Sequence, residues 1–267
     1  MAQIQTDNDT LLGEAAHLQR LVDDAKAIVA FCGAGISTES GIPDFRSPGG
    51  IWSKMEPITY QEFMASEEVR LEDWRRRFML DEIYSKAEPN IAHRVLAHLV
   101  AEGRSPGVVT QNVDGLHQRA GLSPEYLVEL HGNATYAHCL DCREPFTLGE
   151  VRKMIEAKGE SPRCPDCGGF IKSAIISFGE AMPEHEMRRA FELANECDLM
   201  IVLGSSLVVH PAATIPLFAK QSGARLVILN REETPLDDVA DIRFSGEIGA
   251  LLSALFPELS GGGQGKP

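Results

Sequence analysis

Short apolar runs separated by stretches of helical periodicity limit the folds open to this chain. The runs are Ile28–Cys32, Gly107–Thr110, residues 127–130, Leu199–Leu203 and residues 226–229. They are too short for helices, and successive rather than alternate positions are apolar, which marks strands buried on both faces. Helical patterns lie between several of them, over residues 90–102, Glu184–Glu196 and residues 211–221. Leu18, Leu21, Val22 and Ala25 also recur at helical spacing ahead of the first run. Buried strands joined by helices predict an α/β fold, a parallel sheet covered on both faces. The 267 residues suffice for one such domain with a smaller module. Two stretches break the alternation and are candidates for that module. Residues 59–87 are charged and helical, and residues 139–169 hold two Cys-x-x-Cys pairs. Residues 1–11 and 258–267 are polar or Gly-rich and read as tails.

Open parallel sheets bind ligands beyond the carboxyl ends of their strands. After the five runs come, in turn, Gly33-Ala34-Gly35-Ile36-Ser37, Gln111-Asn112-Val113-Asp114, His131-Gly132-Asn133, Gly204-Ser205-Ser206 and Asn230-Arg231-Glu232. Glycines, hydroxyls, amides, an acid and a histidine thus converge on one edge, the composition of a nucleotide-sized crevice. Gly33-Ala34-Gly35 opens like a dinucleotide-binding turn, where glycines let the backbone approach a pyrophosphate. It lacks the third glycine at the usual place, and taken alone it equally suits a tight turn after a strand. His131 ends a buried strand, so it reads either as a site residue or as a structural histidine. His17, His93 and His98 fall in helical patterns, His138 neighbours the cysteines, and His185 lies near a helix start. His117 serves either packing or the support of the site.

Cys139-x2-Cys142, then 21 residues, then Cys164-x2-Cys167 has the spacing of a four-thiolate, ribbon-type zinc site. Redox chemistry is the rival reading of a single Cys-x-x-Cys, but two spaced pairs favour metal. Four protein ligands fill the coordination sphere of zinc, so the ion is structural. Cys32 and Cys197 read as core thiols. Reduced cysteines point to a reducing compartment, and no apolar run approaches the roughly 18 residues of a membrane helix. The first residues lack a basic segment followed by an apolar core, so a cytoplasmic location with no membrane partner is expected. Asp and Glu total 39 against 25 Lys and Arg, a net charge of −14. Such an acidic chain is ill suited to nucleic acid, which needs clustered basic charge, and well suited to cationic, lysine-rich protein segments.

Gly33-Ala34-Gly35-Ile36-Ser37, Gly41-Ile42-Pro43-Asp44-Phe45-Arg46, Thr110-Gln111-Asn112-Val113-Asp114, His131-Gly132, the two cysteine pairs, Phe178-Gly179-Glu180 and Gly204-Ser205-Ser206-Leu207 follow one another in the chain. Together this series resembles the motifs of the sirtuin family, NAD-dependent protein lysine deacylases. The resemblance spans residues 33–232. It implies a Rossmann-type NAD-binding domain over residues 12–57, 93–137 and 172–257. It also implies a small helical and zinc-binding domain over residues 58–92 and 138–171, with NAD and an acyl-lysine peptide meeting in the cleft between the two.

The chemistry implied by the resemblance breaks the nicotinamide–ribose bond and traps the anomeric carbon with the amide oxygen of an acylated lysine. An alkylimidate follows, then nicotinamide, free lysine and O-acyl-ADP-ribose. By motif match, Asn112 and Asp114 hold the ribose and nicotinamide ends, with Ser37 nearby and Gln111 orienting the ribose. Gly33, Ala34 and Gly35 form the cofactor turn. Phe45 shields the anomeric carbon, Arg46 orders the covering loop and helps bind the phosphates, and Asp44 supports that loop. His131 is the base that activates a ribose hydroxyl, a role suited to an imidazole with an ordinary pKa of about 6.5. Gly204, Ser205, Ser206, Asn230, Arg231 and Glu232 hold the adenosine half. Phe178, Gly179 and Glu180, with Val209 beside the lysine stem and His210 at the rim, receive the peptide as an added strand. Cys139, Cys142, Cys164 and Cys167 hold one zinc.

Two positions depart from family patterns. Members that remove diacid acyl groups carry Tyr-x-x-Arg; here Trp74 stands for the tyrosine and Arg77 matches the arginine, and simple acyl groups are the expectation. Trp74 is read as replacing that tyrosine or walling off the acyl pocket. Ser173 stands where many members have proline. A monomer is expected. An ADP-ribosyl transferase or NAD hydrolase using the same cleft, and a non-catalytic NAD sensor or zinc scaffold, are the rival functions.

Overall fold

Each of the five apolar runs forms a strand, and the computed structural model describes residues 2–45, 49–53 and 55–260. In chain order the elements are α1 (Ala2–Asp24), β1 (Ile28–Cys32), α2 (Tyr60–Ala65), α3 (Glu67–Tyr84), α4 (Ile91–Ala101), β2 (Gly107–Thr110), α5 (Leu116–Arg119), β3 (Leu127–Glu129), β4 (Gly132–Cys139), β5 (Pro145–Thr147), α6 (Leu148–Lys158), β6 (Ile171–Ile175), α7 (Glu184–Glu196), β7 (Leu199–Leu203), α8 (Thr214–Gln221), β8 (Arg225–Leu229), β9 (Ile242–Phe244) and α9 (Ile248–Leu255).

Six strands form one parallel sheet in the order β3-β2-β1-β7-β8-β9. Counting only its own strands this is 3-2-1-4-5-6, the order of dinucleotide-binding sheets. Alternate residues of β1 serve opposite faces. Ile28, Ala30 and Cys32 pack with α1, α4 and α9, while Val29 and Phe31 pack with α7 and α8. Phe31 is fully buried, and a side chain of its size contributes roughly 1.5–3 kcal/mol by leaving water. The expectation of apolar strands covered on both faces therefore holds.

The structure differs from the sequence expectations at the ends. Residues expected as an N-terminal tail belong to α1 from Ala2 onward, for no proline interrupts that stretch. Strand β9 and helix α9 carry no expected pattern: β9 is three residues long, and α9 is apolar almost throughout, so it has no polar face to betray a helix.

A smaller antiparallel sheet, β5-β4-β6, forms the second body with α2, α3 and α6. Capping boxes start two of its helices, Thr59 with Glu62 and Thr147 with Glu150. Ser66 separates α2 from α3, its hydroxyl accepting from the Val69 amide. Trp74 is completely buried among Ala137, Cys139, Phe146 and Ile171, stacked on Phe78. It therefore neither walls an acyl pocket nor stands in for a carboxylate-binding tyrosine, because α3 turns that face into the small core. Ser173 lies within β6 opposite Ala137. Among the described residues no helix is long and apolar enough to cross a membrane.

Candidate active site

Strands β1 and β7 are neighbours, yet the chain continues from β1 toward β2 on one side and from β7 toward β8 on the other. A crevice opens at such a switch point. The loops leaving the two strands touch there. Gly33 N donates to Leu203 O at 2.9 Å, Gly35 N to Gly204 O at 2.8 Å, and Gly204 N to Leu229 O at 2.8 Å. A Cβ at Gly33 would lie 2.6 Å from the Gly204 oxygen, and one at Gly204, whose φ is +62°, would overlap the Ile36 nitrogen. Only glycines permit this approach. The turn runs directly into a 3-10 segment, Ala34–Ser40, with Gly33 as its cap.

Behind the crevice runs a chain of polar side chains. The Asn112 amide donates to Gly33 O at 3.1 Å and to Ser37 Oγ at 3.3 Å. Ser37 Oγ donates to Asp114 Oδ2 at 2.7 Å, and Asp114 Oδ1 accepts the Leu116 amide at 2.9 Å. Gln111 Nε2 donates to Ser205 Oγ at 2.8 Å. His131 Nδ1 lies 3.1 Å from Gln111 O. A carbonyl only accepts, so Nδ1 carries the proton and the imidazole lone pair is left on Nε2. The loop after β3 is thereby tied to the loop after β2.

The crevice continues as one cavity of about 400 Å³ lined by residues from both bodies. Of the expected cofactor and base residues, Gly33, Ala34, Gly35, Asp44, Phe45, Gln111, Asn112, His131, Gly204, Ser205, Ser206, Asn230, Arg231 and Glu232 line it. Ser37 and Asp114 are buried behind the wall rather than in it. Arg46 lies outside the described residues. The expected peptide residues Phe178, Gly179, Glu180 and Val209 line the same cavity, with His210. Phe178 bridges Thr59 in parallel, and its carbonyl accepts the Tyr60 amide at 2.9 Å. Leu207, between the segments ending at Ser206 and beginning at Val209, has φ +54°. A bulky residue held there costs on the order of 1–3 kcal/mol, strain that clusters at functional sites.

Sequence reasoning missed Met55, Leu80, Tyr84 and Ile248, which also line the cavity. They are apolar or aromatic residues of helical and loop segments, with no local mark separating them from core. Arg77 lines the cavity too, but its guanidinium pairs with the buried Asp73 at 3.0 Å.

The four cysteines converge at the far end of β4. Their sulfurs lie within 4.8 Å of one another, Cys139 to Cys167 at 3.4 Å and Cys142 to Cys164 at 3.6 Å. Ligands about 2.3 Å from a central zinc would sit roughly 3.8 Å apart, so the cluster fits a tetrahedral ion. Arg143 and Gly168, each following the second cysteine of its pair, take left-handed backbone (φ 67° and 78°) and turn the chain back. A Cβ at Gly169 would come within 2.8 Å of Cys139 Sγ.

A sequence model of the Sir2 family matches residues 33–211. An NAD-dependent protein deacetylase of Bradyrhizobium diazoefficiens is 52% identical over 87% of this chain and 91% of its own length. One from Rhodopseudomonas palustris is 50% identical over 87% and 92%. Among solved structures, Sir2 with a p53 peptide and NAD+ is 38% identical, with a TM-score of 0.79 over 91% of this chain and 97% of that one. Sir2 with a deacetylated p53 peptide and 3'-O-acetyl-ADP-ribose is 37% identical, with a TM-score of 0.82 over 92% and 98%. Sequence, sheet order and cleft agree: this chain belongs to the Sir2 family.

Proposed function

We propose that the protein is an NAD-dependent protein-lysine deacetylase, transferring the acyl group of an acylated lysine to ADP-ribose and releasing nicotinamide. The observation that carries this reading is the convergence of His131, Asn112 and the Phe178–Glu180 segment on one cleft that opens at the glycine turn after β1. NAD, when bound, supplies an electrophilic ribose carbon and a leaving group. Asn112 and Asp114 hold and shape the nicotinamide-ribose end, Asp114 acting through Ser37 and the backbone of α5. Phe45 covers the reacting carbon and keeps water out. Nε2 of His131 takes a proton from a ribose hydroxyl while Nδ1 stays bonded to the Gln111 carbonyl. Asn230, Arg231 and Glu232, with Gly204–Ser206, receive the adenosine half, and Arg46 the phosphates.

The domain assignment proposed is residues 12–57, 93–137 and 172–257 for NAD and residues 58–92 and 138–171 for the small body, with β4 and β6 running from one into the other. Cys139, Cys142, Cys164 and Cys167 would hold one zinc in a structural role. Simple acyl chains are preferred over diacids, because Asp73 already meets the charge of Arg77. Action as a monomer is part of the same proposal. Thiolate ligands suit the reducing cytoplasm.

Mass spectrometry of the protein with NAD and acetyl-, succinyl- and long-acyl-lysine peptides tests the reading. O-acetyl-ADP-ribose with free lysine is expected. ADP-ribose alone, free or on protein, would replace the deacylase with a hydrolase or transferase. His131→Ala is expected to lower the rate by about 10²–10⁴-fold with fold and zinc intact; loss of fold would mark the histidine as structural.

A further inference from the structure

Lys172, on β6, is 2% exposed. An ammonium so deeply buried must be paired and hydrogen-bonded. Its Nζ lies 2.9 Å from Glu180 Oε2 and donates to the carbonyls of Ser173, at 3.4 Å, and of Ile175. Glu180 Oε2 also accepts the Ser177 amide at 2.9 Å. One ammonium therefore gathers the carbonyl that ends β6 and the carboxylate five residues beyond it. The chain between them, Ile176, Ser177, Phe178 and Gly179, lines the cavity. From the other side the Tyr60 amide binds Phe178 O, and Gln61 Nε2 donates to Gly179 O at 3.1 Å.

We infer that Lys172 is a positioning residue for the acyl-lysine peptide, holding the Ser177–Glu180 segment in the shape that receives the substrate strand. The inference rests on the reading of that segment as the peptide site. Lys172→Met alone leaves the Glu180 carboxylate without its partner and costs stability, whereas Lys172→Met with Glu180→Gln removes both charges, an exchange that is often near neutral. What the ammonium adds is a fixed geometry for the end of a turn whose backbone is otherwise tied to His131 O, the Tyr60 amide and Gln61 Nε2. Lys172 is not among the residues that line the cavity, so it acts through Glu180 and the backbone.

Binding of NAD and of an acetyl-lysine peptide is measured separately by calorimetry for the wild type, Lys172→Met, Glu180→Gln and the double variant. Lys172→Met is expected to weaken the peptide about tenfold, some 1.4 kcal/mol, with NAD affinity within about twofold and KM for peptide rising more than kcat falls. Residues acting as one unit are non-additive, so the double variant loses no more than the worse single. Should Lys172→Met fail to fold, Glu180→Gln carries the test, with the same peptide-selective loss expected. Unchanged peptide affinity in a folded variant, equal loss of NAD and peptide, or additive losses would each overturn the inference. A wild-type protein that binds NAD but no acetyl-lysine peptide would instead sink the substrate reading, and this inference with it.

Discussion

At the scale of single residues, environment decides what a side chain does. His131 and His117 both follow short motif segments, but His117 is 2% exposed and neither ring nitrogen has a hydrogen-bond partner among the described residues. It meets the equally buried His93 edge-on, ring centroids 5.1 Å apart. Burial pushes His117 down to about 4, against the pull of nearby Asp114, and burial lowers His93 as well. Both are neutral in the folded protein at pH 7. The unfolded chain takes up protons near 6.5 and the folded one only near 4, so the stabilisation is complete above about pH 6.5 and is lost as pH falls toward 4. Thermal melts should show stability dropping from pH 7 to 5, by about 1 kcal/mol from His117 at pH 5.5. His117→Leu should flatten that slope; an unchanged slope would mean that other groups govern it. The sequence left His117 between packing and support of the site, because the spacing of a motif carries no information about solvent.

At the scale of elements, the metal cluster and the chemistry share strands. Strand β4 has His131 just before its first residue and Cys139 at its last. Strand β6 leads from the Cys164–Cys167 knuckle to the peptide segment. A zinc held by the four cysteines would therefore anchor the far ends of the strands whose near ends carry the site. Cys164→Ser is expected to release the metal, lower the melting temperature and reduce deacetylation by more than about tenfold through lost geometry. Metal analysis and melting curves check this, and a variant keeping one equivalent of zinc and full stability would refute the four-cysteine site. The spacing of the cysteines was legible without a structure, since four thiolates can serve one ion only from two turns. The route from the cysteines to His131 was not, for it depends on β4 pairing with β6 at both ends, across a register shift between Gly132 and Ala137.

At the scale of the molecule, the net charge of −14 is a field rather than a contact. Such a field would attract cationic peptides and is screened beyond about 10 Å at 0.1 M salt. The KM of a lysine-rich acetylated peptide should rise severalfold between low and physiological salt, while that of a neutral peptide stays level. Equal salt dependence of both would show that the field plays no part.

The sequence by itself determined the buried strands, the spacing of the four cysteines and the order of the motifs. These are local properties: periodicity, ligand spacing and the glycine that a tight approach requires are all written within a few residues. Tertiary structure alone decided that Trp74 packs into the small core, that Ser37 and Asp114 stand behind the cleft wall, and that β9 and α9 complete the sheet and its cover. It alone joined Lys172 to Glu180 and gave His131 its tautomer through the carbonyl of Gln111. Such outcomes depend on which distant segments share a surface, and burial and partnership there arise from packing of the whole chain.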